Sequence, residues 1–216
     1  MQTAAVANTL VLGPPHGLII TGSNMSGKTT FLRTLGVNVI LAQTINTGLA
    51  ARYEGPVCVV PSCIGRADDP ASGKSYYLVE VDAVLALLQA SDAEEPHLFL
   101  FDELFRGTNT VERIAAGEAV LRSLVEPRPT GRTHPHVVVA ATHDQELVDL
   151  LSGRYAPFHF TDTVTEAGLT FDYRLHAGPA IGRNALALLR LRGAPERLLQ
   201  MAEARARELD QHPRTT

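Results

Sequence analysis

The residues with the most distinctive spacing form a glycine-rich segment that ends in a lysine and a threonine. It reads Gly22-Ser-Asn-Met-Ser-Gly27-Lys28-Thr29 and fits the pattern G-x-x-x-x-G-K-[ST]. An apolar run precedes it and apolar residues at helical spacing follow it, so the pattern predicts a strand, a tight loop and a helix start. The backbone N–H groups of such a loop surround phosphate oxygens, and the helix start adds the positive end of its dipole. The sequence therefore predicts a phosphate-binding loop.

Each residue type in this loop has a task in binding a magnesium nucleotide. Lys28 has the reach to contact the outer phosphates, and Thr29 carries a hydroxyl that can ligate Mg²⁺. We therefore expect ATP and Mg²⁺ as cofactors. The loop residues predicted to hold the nucleotide are Gly22, Asn24, Met25, Ser26, Gly27, Lys28, Thr29 and Thr30.

Two adjacent carboxylates follow a second apolar run. Residues 98–101 predict a buried strand, and Asp102 and Glu103 come directly after it. An acid at the end of a neighbouring strand is where the Mg²⁺ of a loop-bound triphosphate needs a partner. We predict that Asp102 lies on the metal side with Thr29, and that Glu103 is the general base that orients the attacking water. The alternative is an acidic strand end that faces solvent, which the upstream phosphate loop disfavours.

A histidine ends a third apolar run. His143 follows the predicted strand over residues 137–141 and could sense a γ-phosphate by a hydrogen bond. We therefore place it with Lys28 and Glu103 among the catalytic residues. His134 and His136 lie in a loop rich in proline, arginine and histidine, and we predict that both are surface residues.

A helix start between the first two motifs could bind a further anion. Ser75 is expected to be the N-cap of this helix, and Gly73 frees the backbone before it. Because the chain already carries one phosphate site, a second anion receptor suggests the opposing half of a composite site. The alternative is an ordinary capped helix, which spacing alone favours.

The elements that must position these residues alternate between apolar strands and helices. Continuous apolar strands separated by helices predict an α/β fold with a mostly parallel sheet covered on both sides. The expected segments are a strand, loop and helix over 18–45, strand-rich 53–64, a helix over 75–90, a strand over 97–101, a helix over 111–124, a strand over 137–141, a helix over 145–151, strands within 158–175 and a helix over 195–209.

Two of these helices are expected to bury an apolar face. The predicted face of the helix over 75–90 consists of Leu78, Val81, Val84, Leu85 and Leu88. The predicted face of the last helix consists of Leu198, Leu199, Ala202, Ala206 and Leu209.

Composition excludes some classes of function. The 216 residues carry a net charge of -4, so this segment lacks the basic footprint of a tight nucleic-acid binder. Cys58 and Cys63 are too few for a disulfide framework and are expected to be reduced, although a disulfide between them remains open. No apolar run reaches the roughly 18 residues that a membrane span needs, and no secretory signal is evident, so a cytoplasmic protein is expected.

Taken in order, the motifs resemble the ATPase domain of the MutS family of DNA mismatch-repair proteins, which is similar to the ABC-type ATPases. The similarity extends from Val6-Ala7-Asn8 to the C-terminal helix. The segments that carry it are Thr21–Thr29, Ala67–Ser75, Asp102-Glu103 with Arg106–Thr110, and Ala141-Thr142-His143.

The resemblance implies a P-loop NTPase of the ABC type and an ATP-bridged homodimer. In this dimer ATP on one copy meets Ser75 of the other, so Ser75 is expected to be a catalytic residue. It implies that Asn8 lies near the adenine. It also implies that residues 1–193 form the ATPase domain, while the helix and tail over 194–216 pack across a subunit interface. DNA would be held by domains absent from this chain, other repair proteins are possible partners, and no membrane is involved.

Several positions depart from the family pattern. Ala5 stands where an aromatic residue usually stacks on adenine, and Gly182–Ala185 replaces a Ser-Tyr-Gly pattern. Phe105 and Val111-Glu112-Arg113 also differ from the common sequence. These departures suggest a divergent branch.

Several functions therefore stay open. They are an ATP-hydrolysing dimerisation domain in mismatch repair, the same engine in recombination control, and a nucleotide-dependent interaction module with little turnover. Another ABC-type engine is disfavoured because Leu-Ser-Gly-Gly-Gln is missing before the acidic strand, and Leu151-Ser152-Gly153-Arg154 follows His143 in the wrong order.

Overall fold

The computed structural model describes residues 5–13, 16–65, 76–91, 95–126, 136–165, 168–180 and 184–211. The strands are β1 (Gly17–Thr21), β2 (Ser62–Cys63), β3 (Leu98–Asp102), β4 (Val137–Ala141), β5 (Tyr155–Thr165) and β6 (Gly168–Ala177). The helices are α1 (Lys28–Ile45), α2 (Tyr76–Ala90), α3 (Thr110–Val125), α4 (Gln145–Leu150), α5 (Ala185–Leu191) and α6 (Glu196–Gln211). Of these, α5 was not predicted.

One mixed sheet joins the six strands in the order β2-β3-β4-β1-β5-β6. Each neighbouring pair from β2 to β5 is parallel, and β6 runs antiparallel to β5. This confirms the predicted α/β fold with a mostly parallel sheet flanked by helices. Ala141 at the end of β4 pairs with Ile20 on one side and Asp102 on the other, so the ends of three strands meet at one edge. The chain segments after β1, β3 and β4 therefore lie together.

Both faces of the sheet are buried, which explains why the central strands are apolar without interruption. In β3, Phe99 and Phe101 belong to a core with Leu121 of α3, on the side of the sheet that α2, α3 and α4 cover. Leu100 points to the opposite core with Leu32 of α1. The strands predicted from apolar runs at β1, β3 and β4 are confirmed for this reason.

Helix α1 packs closely against β3 at a glycine. A Cβ atom built on Gly36 would lie 2.8 Å from Cδ1 of Leu100 in β3. A methyl group added at Gly36 would therefore force the buried Leu100 side chain to shift. The packing of α1 against β3 at this point thus relies on Gly36.

The predicted strand-rich segment over 53–64 is wrong for most of its length. It forms only the two-residue strand β2 and one isolated bridge between Val59 and His97. Val57 is 77% exposed, and the backbone of Cys58 is held by the Gln43 side chain at 2.8 and 3.1 Å. The segment follows the sheet edge and pairs at few points, so its β-branched residues do not extend the strand.

The predicted apolar face of α2 is too wide. Val84 is buried and Val81 and Leu88 pack against the same core, as predicted. Leu78 and Leu85 are 45% and 51% exposed, because the helix turns this side away from the sheet. The buried side of α2 instead includes a carboxylate, described below.

The last helix also departs in part from its prediction. Leu199 of α6 is buried, and Ala202 and Ala206 are half-buried. Leu198, predicted on the same face, is 47% exposed. The side chain of Leu209 falls outside the described residues.

The prediction that His136 is a surface residue is wrong. His136 is buried directly before β4, and its Nε2 atom lies 3.0 Å from the carbonyl oxygen of Ser91. Its ring packs against His97 and Phe99 with centroid distances of 4.9 and 5.3 Å. His136 therefore belongs to the core, while His134 falls outside the described residues.

Cys58 and Cys63, both among the described residues, are not joined in a disulfide bond. Among the helices that the structure describes, none combines the length and apolar character needed to cross a membrane.

Candidate functional site

The loop between β1 and α1 is shaped by two glycines. Gly22 and Gly27 have φ values of 141° and 111°, in the region that favours glycine. A Cβ on Gly22 would also lie 2.9 Å from the carbonyl oxygen of Phe160, so no side chain fits there. Met25, at φ 71°, is a non-glycine residue in the same region and is 83% exposed. Asn24 and Thr30 are exposed as well.

The side chain of Lys28 lies inside this loop. Its Nζ donates hydrogen bonds to the carbonyl oxygens of Gly22 at 2.7 Å and Ser23 at 3.0 Å. Burial lowers the pKa of Lys28, and the carboxylates of Glu103 and Asp102 oppose that shift. The ammonium group is thus held by two backbone acceptors at the site where the sequence predicts phosphate.

Two hydroxyl groups of the loop fit an anionic ligand. The Oγ atoms of Ser23 and Ser26 are buried and have no hydrogen-bond partner among the described residues. Buried polar atoms are nearly always paired in folded proteins, so such atoms need an explanation. A phosphate group would accept hydrogen bonds from hydroxyls in this position.

The helix start and the end of β3 meet through a hydroxyl and a carboxylate. Oγ1 of Thr29 donates to Oδ2 of Asp102 at 2.6 Å. Oxygen ligands of this kind suit Mg²⁺, which is usually bound by one or two carboxylates together with water and phosphate oxygens. No cluster of three or more His, Cys, Asp or Glu side chains suited to a metal occurs in the described parts. The Thr29 hydroxyl and the Asp102 carboxylate thus provide two oxygen donors of the kind that suits Mg²⁺.

At Glu103, directly after Asp102, the backbone leaves the direction of β3. Its φ is 54°, and its amide N–H donates to the carbonyl oxygen of Ala141 at 2.9 Å. Its carboxylate is 12% exposed and has two neighbours: Oε1 lies 3.4 Å from Nδ1 of His143, and Oε2 lies 3.3 Å from Nε of Arg106. The structure thus brings the two predicted catalytic residues Glu103 and His143 together.

A buried carboxylate from α2 holds the loop that follows Glu103. The amide N–H of Phe105, which has a φ of 59°, donates to Oε1 of Glu80 at 2.6 Å. Non-glycine residues with positive φ are uncommon and persist only where the surroundings hold them. Sequence reasoning missed Glu80, because it looked like one more charge on an amphipathic helix.

Arg113 and Asp144 form a further ion pair at this edge. Two hydrogen bonds of 2.9 and 2.7 Å join the guanidinium to both carboxylate oxygens. Oδ1 of Asp144 also lies 3.8 Å from Nε2 of His143. Arg113 was noted in the sequence only as a departure from a pattern, and Asp144 was not singled out.

The Asn8 amide is engaged with β6. Its Nδ2 donates to the carbonyl oxygen of Tyr173 at 3.0 Å, and its Oδ1 accepts from the amide N–H of Leu175 at 2.7 Å. Both polar atoms thus fix the N-terminal segment to β6. The predicted proximity of Asn8 to adenine stays a prediction.

An aromatic side chain that the sequence analysis missed lies over the loop. A Cβ built on Gly27 would lie 3.4 Å from Cδ1 of Tyr173, and Phe171 packs beside Tyr173 at 5.7 Å between centroids. Only an alternation of residues in this part of the chain was visible in the sequence. Ala5, the position that lacks the expected aromatic residue, is exposed.

The structure thus gathers Lys28, Thr29, Asp102, Glu103 and His143 at one edge of the sheet. Ser75 and the rest of the segment over 67–75 fall outside the described residues, as do residues 182 and 183 of the late departure. The composite site that Ser75 would complete stays a prediction.

Comparison with known proteins gives a match over most of the chain. The family model described as MutS domain V matches residues 18–210. A DNA mismatch repair protein MutS from Streptococcus gordonii is 36% identical over 196 residues, which cover 89% of this chain and 22% of that protein. The MutS proteins of Thermus thermophilus and Streptococcus pyogenes are each 33% identical, over 94% and 92% of this chain and 24% and 23% of their own lengths. The chain therefore spans about a quarter of the length of these relatives.

Proposed function

The chain belongs to the MutS family, and on that premise we propose that it is a module that binds Mg²⁺-ATP and hydrolyses it. The observation that carries the proposal is the 2.6 Å contact between Thr29 and Asp102, which joins the helix start after the glycine-rich loop to the end of β3. Lys28 and Glu103 lie beside this contact. Thr29 and Asp102 would hold Mg²⁺, which would neutralise phosphate charge when bound.

The protein side chains have separate roles in this proposal. The Lys28 ammonium exchanges its two loop carbonyls for oxygens of the outer phosphates, and the hydroxyls of Ser23 and Ser26 gain acceptors. The Glu103 carboxylate accepts the proton of the attacking water. His143 lies 3.4 Å from that carboxylate and orients it.

The base of the nucleotide would rest on the aromatic surface near the loop. Tyr173 lies over Gly27 and takes the place of the aromatic residue that is missing at position 5. Asn8 fixes the backbone at Tyr173 and at Leu175 through its two hydrogen bonds. Asn8 would then act on the adenine through the position of Tyr173.

The names of the relatives suggest a wider biological role, which we state as a proposal. Proteins with 33% to 36% identity are named as DNA mismatch repair proteins. We propose that this module powers a MutS-like protein on DNA as an ATP-bridged homodimer, in mismatch repair or in recombination control. The net charge of -4 favours DNA contact through parts other than this segment.

The proposal is tested by separating nucleotide binding from turnover in the full chain. Glu103→Gln should bind a fluorescent ATP analogue with unchanged Kd while kcat falls by about 10²–10⁴-fold, the usual contribution of a general base. Lys28→Ala should lose binding. Glu146→Gln, an exposed carboxylate on α4, is the matched control and should behave as the wild type.

The dependence on protein concentration tests the composite site. A rate that rises with the square of concentration at low concentration supports a dimer. Tight binding without hydrolysis at any concentration would instead indicate an interaction module. A wild-type chain that binds no nucleotide would contradict the proposal as a whole.

A further inference from the structure

Two oppositely charged side chains are buried together next to His143 of the proposed site. Arg113, in the first turn of α3, donates from Nε to Oδ2 of Asp144 at 2.9 Å and from Nη2 to Oδ1 at 2.7 Å. The side chains are only 15% and 9% exposed. The hydrogen bonds to Asp144 raise the pKa of Arg113, so the guanidinium stays charged at any working pH.

Stabilisation of the fold does not by itself explain why these two charges are buried together. A buried ion pair usually stabilises a protein no better than apolar side chains of similar volume, because both charges lose their water. Asp144 also stands at the N-cap position of α4, yet its carboxylate makes no capping hydrogen bond. The side chain is engaged with Arg113 instead of the helix that it begins.

The ion pair contacts one residue of the proposed site, and that residue contacts a second. Oδ1 of Asp144 lies 3.8 Å from Nε2 of His143, and Nδ1 of His143 lies 3.4 Å from Oε1 of Glu103. The amide N–H of Asp144 donates to Oγ1 of Thr142 at 3.0 Å, which closes the turn on which His143 stands. A continuous set of contacts thus leads from α3 through Asp144 and His143 to Glu103.

We propose that the Arg113–Asp144 ion pair is a positioning pair for ATP hydrolysis. It fixes the turn that carries His143 to the start of α3, and it thereby keeps the imidazole ring against the Glu103 carboxylate. His143 is 45% exposed, so without this anchor its ring has room to turn towards solvent. Arg113 and Asp144 act through His143 and Glu103 and touch no reacting atom. This inference rests on the proposed function of the site.

The test separates positioning from stability with an apolar replacement of the whole pair. Arg113→Met leaves a buried carboxylate without its partner and lowers the unfolding temperature. Arg113→Met/Asp144→Leu removes both charges at similar volume, so its unfolding temperature should return close to that of the wild type. We expect the double variant to keep the wild-type KM for Mg²⁺-ATP and the wild-type Kd for a non-hydrolysable analogue, while kcat falls by about 10–100-fold, as for other groups that orient site residues.

Two further variants keep the result interpretable. Arg122→Met removes an arginine of the same helix that pairs with Glu118 and Glu126 away from the site, and its kcat should be unchanged. Arg113→Lys keeps a positive charge beside Asp144 but loses the two parallel hydrogen bonds of the guanidinium. We expect this variant to fold and to have a severalfold lower kcat. It therefore provides the test even if the double variant does not fold.

The outcomes distinguish the two proposals. If the folded double variant, or Arg113→Lys in its place, hydrolyses ATP with the wild-type kcat, the pair is structural and the inference is overturned. If the wild type and Arg122→Met bind no nucleotide and show no turnover, the proposed function itself fails, and the inference fails with it. A selective loss of kcat in the pair variants supports both.

Discussion

Replacing Thr29 by valine tests the metal side of the proposed site with a small change in shape. Valine keeps the branched Cβ but lacks the hydroxyl that donates to Asp102 at 2.6 Å. A hydrogen bond to a charged group contributes about 1.5–3 kcal/mol. In a domain of this size about 1 kcal/mol corresponds to roughly 2–4 °C, so the nucleotide-free variant should unfold roughly 3–12 °C below the wild type.

The same hydroxyl is the predicted protein ligand of Mg²⁺. If its loss weakens the metal site by the same free energy, the half-saturating Mg²⁺ concentration should rise by about 10–100-fold, since about 1.4 kcal/mol corresponds to a factor of ten. The assay is a Mg²⁺ titration of ATP turnover, with binding of a fluorescent ATP analogue measured in EDTA as a second readout. Without metal, the Kd of the variant should stay within about twofold of the wild type, because Lys28 and the loop remain.

A matched control is available on the same helix. Thr34 of α1 is exposed, and Thr34→Val makes the same chemical change without touching Asp102. It should leave the Mg²⁺ dependence and the unfolding temperature unchanged. An unchanged Mg²⁺ titration in folded Thr29→Val would refute the assignment of Thr29 and Asp102 to the metal.

Three further predictions concern the groups around this contact. Glu80→Leu leaves the buried amide of Phe105 without an acceptor and should lower the free energy of unfolding by about 1–3 kcal/mol, whereas Glu80→Gln keeps an acceptor and should cost less; thermal unfolding measures both. Burial lowers the pKa of Lys28, so the folded chain binds fewer protons than the unfolded chain between that lowered value and 10.5. Wild-type stability relative to Lys28→Met should therefore increase as pH rises through this window, and a constant difference across it would contradict the burial of a charged Lys28. Tyr173→Ala should weaken binding of the ATP analogue by about 5–150-fold, equivalent to about 1–3 kcal/mol of base stacking, while Tyr173→Phe should retain affinity, and equal Kd values for the two would exclude stacking.

The parts of the fold that could be predicted from sequence are those in which local pattern and burial agree. β3 and β4 are apolar at every core position because helices cover both faces of the sheet, so the apolar runs marked them correctly. The two carboxylates at the end of β3 and the histidine after β4 could be placed together because parallel strands bring their ends to one edge. The segment over 53–64 shows the limit, since strand propensity does not reveal that a segment meets the sheet edge at only a few points.

The rest of the site depends on contacts between residues that are far apart in the sequence. Glu80 and Phe105 are 25 positions apart, Arg113 and Asp144 are 31 apart, and Asn8 and Leu175 are 167 apart. Pairs of this kind carry no periodic signal, since each partner alone looks like an ordinary surface charge or amide. His136 was misplaced for the same reason, because only the packing against His97 and Phe99 shows that its side chain enters the core.

The close packing at Gly36 bears on the geometry of the Thr29–Asp102 contact, although Gly36 lies far from it. Gly36 lies eight residues along α1 from Lys28, or about 12 Å at 1.5 Å per residue, yet it determines how near α1 can come to the strand that ends at Asp102. A methyl group added there would press on the Leu100 side chain and disturb the packing between the helix that carries Thr29 and the strand that carries Asp102. The geometry of the proposed metal site therefore depends partly on an interior position that has no functional group.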